Sequence, residues 1–389
     1  MKKAFLFFLI LLSIVYVYGQ KAQKKILFDN TKDEQAGNAD WIIDNTQPIP
    51  SPAQSGITAS TSETYWSGAL SSWGVEMVKR GYWVETLPPN GKITYGNASN
   101  SQDLSNYDVF VVDEPNDPFS SSEEQAMINF VKNGGGLFIV SDHAKADRNG
   151  NGWDANKVWN KFFSDYNNPF GVTFNEDNTG NIDPATNVAQ LSSNGILHGA
   201  AGDVNGLAFY SGGTMTIDKS INPTVLGLVF KPGSSNTGSQ NVMAACANYV
   251  SGRIVLIGDS SVPEDATASD NSHTYPGWLQ PKNAGNATGD DGVFVTNATI
   301  WLAGDATTNN NEVKNEIRIF PNPVKNVLNI EMSLKPVKIE IFNLNGQIIR
   351  SIGKPKNQQT VDVSDIPPGI EFVKIYYENS VVIEKIIVR

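Results

Sequence analysis

The chain has a single cysteine, Cys246, among 389 residues. One thiol cannot close a disulfide within the chain or supply the thiolates of a structural zinc site. It lies in the apolar run Val242–Ala247 and reads as a buried, inert side chain. Histidine is nearly as scarce: His143, His198 and His273 are the only three, and none stands at ligand spacing from another, so there is no zinc signature. Basic residues are also short, 29 Lys and Arg against 40 Asp and Glu, for a net charge of −11. Phosphate backbones are bound through Lys and Arg, so nucleic acid is not an expected partner. An acidic surface suits an exported protein that meets neutral or cationic material, or divalent cations. No Gly-x-Ser-x-Gly elbow is present.

One apolar run stands out, Ala4–Val17 behind Lys2-Lys3. It is shorter than the roughly 20 residues a membrane span needs. With Val17-Tyr18-Gly19 at its end it reads as a signal peptide, residues 1–19, and cleavage leaves no expected transmembrane anchor.

The rest can build a sizeable core. Apolar residues make up 40%, with 8 Trp, 12 Tyr and 18 Phe. Short apolar runs at Lys25–Phe28, Val84–Leu87, Val109–Val112, Leu137–Val140 and Ile254–Ile257 predict parallel strands, each followed by a polar loop. Helical spacing fills the gaps. Ser67–Arg80 stops at Gly81, Ser120–Asn133 opens like a capping box and stops at three glycines, and Asp154–Phe163 carries Val158, Trp159, Phe162 and Phe163 on one side. The alternation predicts an α/β fold, a doubly wound and mostly parallel sheet. Antiparallel additions are expected at 207–210, 214–217, 225–229 and 241–249, and a closing helix at Phe294–Leu302. The domain therefore spans 24–304. Residues 305–316 are almost without apolar content and read as a linker. Residues 317–389 alternate apolar and polar positions between turns, which predicts a small antiparallel β-sandwich.

A parallel sheet brings its strand C-termini to one edge, where open α/β sheets bind ligands. That edge should receive Asp29 and Asn30, then Asp113 and Glu114, then Asp142 and His143, then Asp259, Ser260 and Ser261. Two carboxylates about 4 Å apart repel by roughly 4 kcal/mol at an effective dielectric near 20. Such a group needs a cation, a shared proton or greater separation. Asp142, His143 and Asp259 are the candidate catalytic residues, with His143 either a general base or a supporting residue. Asp29, Asn30, Glu114, Ser260 and Ser261 are candidate substrate-binding residues. Ser141 or Ser260 as nucleophile is conceivable. Trp41, after the first strand, either lines the site or packs inward, and packing inward is the preferred reading. His273, with Asp265, Asp270, Tyr275 and Trp278, either forms a lid over this edge or lies on the surface.

The loop Asp147-Arg148-Asn149-Gly150-Asn151-Gly152 matches the first half of a calcium loop. Val158 stands where the bidentate Glu belongs. Asp147, Asn149, Asn151 and Asp154 are the candidate Ca²⁺ ligands. The alternative is an Asn/Gly turn in which Asp154 caps the next helix.

Two resemblances follow. The tail motifs Ile319-Phe320-Pro321-Asn322-Pro323, Val327–Ile330, Ile341–Gly346, Val363–Gly369 and Glu384–Arg389 are similar to the type IX secretion C-terminal sorting domain of Bacteroidetes. Glu371 departs from the family's frequent Tyr. The resemblance implies the type IX machinery as partner, passage through the outer membrane, and a secreted or cell-surface location. Residues 25–303 resemble, more loosely, the class I glutamine amidotransferase-like superfamily, including ThuA-like members. The matching stretches are Lys25–Asp29, Tyr107–Val112, Phe130–Ile139 and Gly252–Asp259. His198, in Ile-Leu-His-Gly, resembles a His-containing turn of ThuA-like sequences, which implies ligand binding. Where the superfamily places its nucleophilic Cys, this chain has Ser141-Asp142-His143, so glutaminase chemistry is not supported. Two expectations stay open: a metal-assisted hydrolase of an extracellular polysaccharide, or a non-catalytic, calcium-stabilised glycan-binding module.

Overall fold

The computed structural model describes residues 23–36, 39–265, 289–305, 317–332, 335–343, 346–376 and 381–389. The signal peptide, Asp270, His273, Tyr275 and Trp278, and the linker beyond Asp305 lie outside these residues.

Five parallel strands form the heart of the larger domain: β1 (Lys25–Asp29), β2 (Trp83–Leu87), β3 (Val109–Asp113), β4 (Gly136–Val140) and, later in the chain, Gly252–Ile257. Three antiparallel strands precede that last one, β5 (Val172–Phe174), β6 (Met215–Ile217) and β8 (Val242–Tyr249), with β7 (Leu226–Phe230) also paired to β8. Gly252–Ile257 is then β9. The sheet runs β2-β1-β3-β4-β9-β8-β6-β5. Pairing is parallel from β2 to β9 and antiparallel from β9 onward. The parallel strands are apolar almost without interruption because helices cover both of their faces.

Four helices pack on this sheet: α1 (Ser71–Lys79), α2 (Ser121–Lys132), α3 (Ala155–Asp165) and α4 (Asp291–Leu302). The chain moves outward from β1 to β2, then the other way from β3 to β4. Right-handed crossovers therefore put α1 and α2 on opposite faces. Trp73 of α1 fits between Phe28 and Phe138, and its indole donates to Thr299 of α4 at 3.0 Å. On the other face Phe119 and Trp159 pack together, and Lys161 of α3 reaches Glu124 of α2. Glu123 accepts the Ser120 amide at 2.8 Å, closing the capping box at the start of α2.

The helix predicted over 67–80 starts four residues late. Ser67, Gly68 and Leu70 donate their amides to Asp44, Ile43 and Ile42, so this first turn serves the loop after β1 instead. The reversal between β1 and β3 makes their C-terminal ends the switch point of the sheet.

The tail is the expected antiparallel sandwich. Three strands (Arg318–Phe320, Val327–Glu331, Gln358–Asp362) face four (Ile348–Gly353, Lys338–Asn343, Gly369–Tyr376, Val381–Val388). Leu328, Ile330, Ile339, Ile341, Val373, Ile375 and Ile386 fill a core of their own.

Candidate functional site at the C-terminal edge of the sheet

The strand ends deliver acids that are buried. Asp29 ends β1, Asp113 and Glu114 end β3, Asp142 follows β4, and Asp259 follows β9; none is more than 2% exposed. Glu264, on the segment leaving Asp259, is buried beside them. Burial pushes the Asp113 and Asp142 carboxyls well above the usual carboxylate range. Neighbouring charge adds to it: Glu114, Asp259 and Glu264 act on Asp113, and Glu114 and Asp259 act on Asp142. Asp259 is pushed up to about 7, chiefly by burial, although the amides of Ser261 and Tyr210 pull the other way.

Glu114 and Asp142 are bridged. Arg148 donates Nε to Glu114 Oε1 at 2.7 Å and a terminal nitrogen to Asp142 Oδ2 at 2.5 Å. Burial and acid neighbours favour protonating Asp142, while Arg148 favours the carboxylate. The fork geometry shows an ion pair in place at Asp142. Both oxygens of Asp113 are buried without a hydrogen-bond partner. Glu114 holds φ +46, a left-handed backbone that costs a non-glycine residue energy and recurs at functional sites.

His143 stands at the boundary with solvent, its side chain 22% exposed. Its Nδ1 lies 2.8 Å from the Ala144 carbonyl, which fixes Nδ1–H as donor and leaves the Nε2 lone pair 3.8 Å from Asp142 Oδ2. Asp142 and His143 are therefore adjacent, and Asp259 is close enough to Asp142 for its charge to act there. Ser141 is not a nucleophile for His143: its hydroxyl donates to Asn156 at 2.7 Å. Ser260 and Ser261 are buried at the same edge. Cys246 lies mid-strand in β8, its thiol pushed up to about 12 by burial.

Asp29 pairs with Glu34, and burial holds both above the carboxylate range, Asp29 at about 6. Asn30 donates to Gln47 at 3.2 Å. His198 is paired with Asp203 at 3.0 Å, on a turn held against Asn297 of α4.

The calcium-like loop has other work. Asp154 caps α3, accepting Lys157 N at 2.9 Å, while its second oxygen accepts Lys145 N at 2.9 Å. Asp147 accepts the amides of Asn151 and Gly152, Asn149 Oδ1 that of Asn151, and Asn151 Oδ1 that of Trp153. The position of the usual bidentate Glu belongs to Val158, buried in the α3 core. Among the described residues no group of three His, Cys, Asp or Glu side chains is placed to hold a metal. The capping alternative accounts for Asp154.

Three further residues complete the site. Trp41 does pack inward, yet its indole donates to Glu114 Oε2 at 2.9 Å. A two-residue strand, Ala39–Asp40, leads into it. Asn116 stitches three loops: its amide group donates to the Asp33 carbonyl and its Oδ1 accepts Arg148 N at 3.1 Å. Arg148 itself was hidden in an Asn/Gly turn, where a basic residue reads as solvated surface.

Residues 318–389 match the family described as the secretion system C-terminal sorting domain. The tail is a type IX sorting domain. It engages the secretion machinery and sends the chain to the cell surface or beyond. Among the described residues no helix is long and apolar enough to cross a membrane. No curated protein matches the chain in sequence. Among solved structures, it is similar to the mmIFT52 N-terminal domain, at 12% identity over 74% of this chain and 100% of that one, TM-score 0.43. A ThuA-like protein from Parabacteroides merdae is 14% identical over 74% of this chain and 93% of that one, TM-score 0.38. A cold-adapted β-galactosidase from Rahnella sp. R3 is 10% identical over 94% of this chain and 41% of that one, TM-score 0.34.

Proposed function

We propose that the exported domain is a hydrolase of an extracellular glycan-type substrate, working by acid–base chemistry at the C-terminal edge of its sheet. The observation that carries this is the solvent-reaching Asp142–His143 pair backed by buried acids. Burying carboxyls without partners is costly, and folds keep such groups where their protons are used. In this reading Asp142, held as a carboxylate by Arg148, stabilises the charge that forms on His143. His143 takes the proton of the attacking water through its free Nε2. The scissile C–O bond breaks, the leaving oxygen takes that proton from His143, and water supplies the new C–O bond. Asp259, held by two amides, is a neighbouring acid of Asp142. No step is assigned to a metal.

A non-catalytic binding module is the second reading, favoured by one observation. Ser141 turns away from His143, and Arg148 already occupies the carboxylates. The secreted protein, screened against neutral, acidic and amino glycans, separates the two. Turnover that falls at least about 100-fold in Asp142→Asn and His143→Ala supports the hydrolase. Turnover untouched by both variants sinks the site assignment. Binding without turnover makes the chain a binding module.

A further inference from the structure

An asparagine followed by glycine is a step at which a chain readily modifies itself, because no side chain on glycine keeps its amide nitrogen from the Asn carbonyl carbon. The reaction needs solvent at the step, an amide nitrogen not tied up in a hydrogen bond, and an Asn side chain held close to its own backbone. The fold sorts the Asn-Gly steps of this chain by those needs. Gly91 N donates to the Pro88 carbonyl at 2.7 Å, Gly134 N to that of Val131 at 3.1 Å, and Gly152 N to Asp147 Oδ2 at 2.8 Å. Gly206 is buried, and Asn194 is half-buried with its Oδ1 taken by the Ile196 and Leu197 amides. Asn149-Gly150 differs. Both residues are exposed, Gly150 N has no hydrogen-bond partner among the described residues, and a Cβ on Gly150 would meet nothing within 4 Å. Asn149 Oδ1 accepts Asn151 N at 3.2 Å. That bond folds the side chain back over the peptide and puts a donor on the oxygen that gains charge under attack.

We propose that Asn149-Gly150 is a site of spontaneous deamidation, and that its product loosens the turn that aims Arg148. Gly150 N gives its proton to solvent base and attacks Asn149 Cγ. The new C–N bond closes a succinimide, the Cγ–Nδ2 bond breaks, and the nitrogen leaves as ammonia with a proton from water. Water then opens the ring at either carbonyl, leaving aspartate or isoaspartate. Before the reaction Asn149 Nδ2 donates to Asp117 Oδ1 at 3.1 Å, and Asn151 Nδ2 donates to the same oxygen at 2.6 Å. Afterwards a carboxylate faces Asp117 where a donor stood, and like charges at that spacing repel. Isoaspartate also lengthens the backbone by one atom. The preceding residue, Arg148, is anchored by its amide on Asn116 Oδ1 and by its side chain on Glu114 and Asp142. The disturbance therefore falls next to the residue that bridges two strand ends, whether or not the domain is a hydrolase.

The full secreted chain is aged at neutral and at mildly alkaline pH, digested, and read by fragmentation mass spectrometry with isoaspartate separated from aspartate. Asn149 is expected to convert, faster at the higher pH, with both products present. It should outpace Asn90, Asn133 and Asn151 by at least about tenfold, and Gly150→Ala should slow it by a similar factor. In denaturant the ranking is expected to collapse, since folded hydrogen bonds create it. Conversion of Asn149 no faster than that of the other three, or a ranking that survives denaturant, overturns the site. Asn149→Asp supplies one product directly and reads the effect on the turn. It is expected to melt several degrees lower than wild type, and Asp117→Asn in the same chain to restore at least half of that loss. An unshifted melt, or no recovery with Asp117→Asn, overturns the coupling to the turn.

Discussion

The indole nitrogen of Trp41 lies 2.9 Å from Glu114 Oε2, so the loop after the first strand holds the acid that ends the third. Glu114 is fully buried in a left-handed backbone, and its other oxygen belongs to Arg148. Trp41→Phe keeps most of the ring volume and deletes the donor. A hydrogen bond to a buried charge contributes about 1.5–3 kcal/mol. We expect a loss of that size in chemical denaturation, and a wild-type midpoint would show that the bond is not a determinant of the site.

The buried acids set an unusual pH dependence. Asp29 at about 6 and Asp259 at about 7, with Glu34, Asp113 and Asp142 also raised, are all protonated more readily folded than unfolded. Their contribution to stability is fully present below the unfolded carboxylate range. It is lost as pH rises through the folded values, at about 1.4 kcal/mol per proton per pH unit. Asp44, Asp103 and Glu123 are lowered by hydrogen bonds, so their contribution is lost as pH falls through the carboxylate range. Lys32 faces Asp29 and Glu123, and Arg148 faces Glu114 and Asp142. The melting temperature is therefore expected to be highest near pH 5 and to fall toward pH 8. Asp113→Asn should flatten that decline; an undiminished slope would place the proton elsewhere.

The sequence carried the strand ends plainly, because a buried parallel strand is a continuous apolar run and stops where the chain turns polar. Asp142, His143 and Asp259 are legible for that reason. Arg148, Asn116 and Glu264 are not. Each acts from a loop whose path is set by contacts distant in sequence, such as Arg148 N on Asn116, 32 residues away. The Asp147–Asp154 loop reads two ways in the sequence. Carboxylates and amides at alternate positions serve a cation or the loop's own amides equally well, and only the geometry distinguishes the two uses.

Gly258 precedes Asp259 and touches another backbone. A Cβ there would sit 2.2 Å from the Gly213 carbonyl oxygen, and Gly213 N donates to Gly258 O at 2.6 Å. Gly258→Ala must push apart two chain segments whose neighbours, Tyr210 and Ser261, hold Asp259. Overpacking of this kind costs about 1–3 kcal/mol. The expected result is that loss in denaturant together with a fall in turnover or ligand affinity. Loss of stability alone would mean that Asp259 keeps its place without this contact.

Asp154 separates a calcium loop from a helix cap. Its two oxygens accept Lys157 N, inside the first turn of α3, and Lys145 N, nine residues back. Replacing a capping Asp by Ala costs about 0.5–2 kcal/mol, while Asn caps nearly as well. Asp154→Ala should therefore lower the melting temperature, and Asp154→Asn should recover most of the difference. A cap acts through backbone amides and is indifferent to divalent cations, so the loss should be the same in calcium and in chelator. A calcium ligand behaves otherwise. Binding to the folded state alone raises stability with ion concentration, so the wild-type curve would shift with calcium and the Asp154→Ala curve would not. Coincident wild-type curves with unequal Ala and Asn variants identify the cap; a calcium shift lost in Asp154→Ala restores the metal.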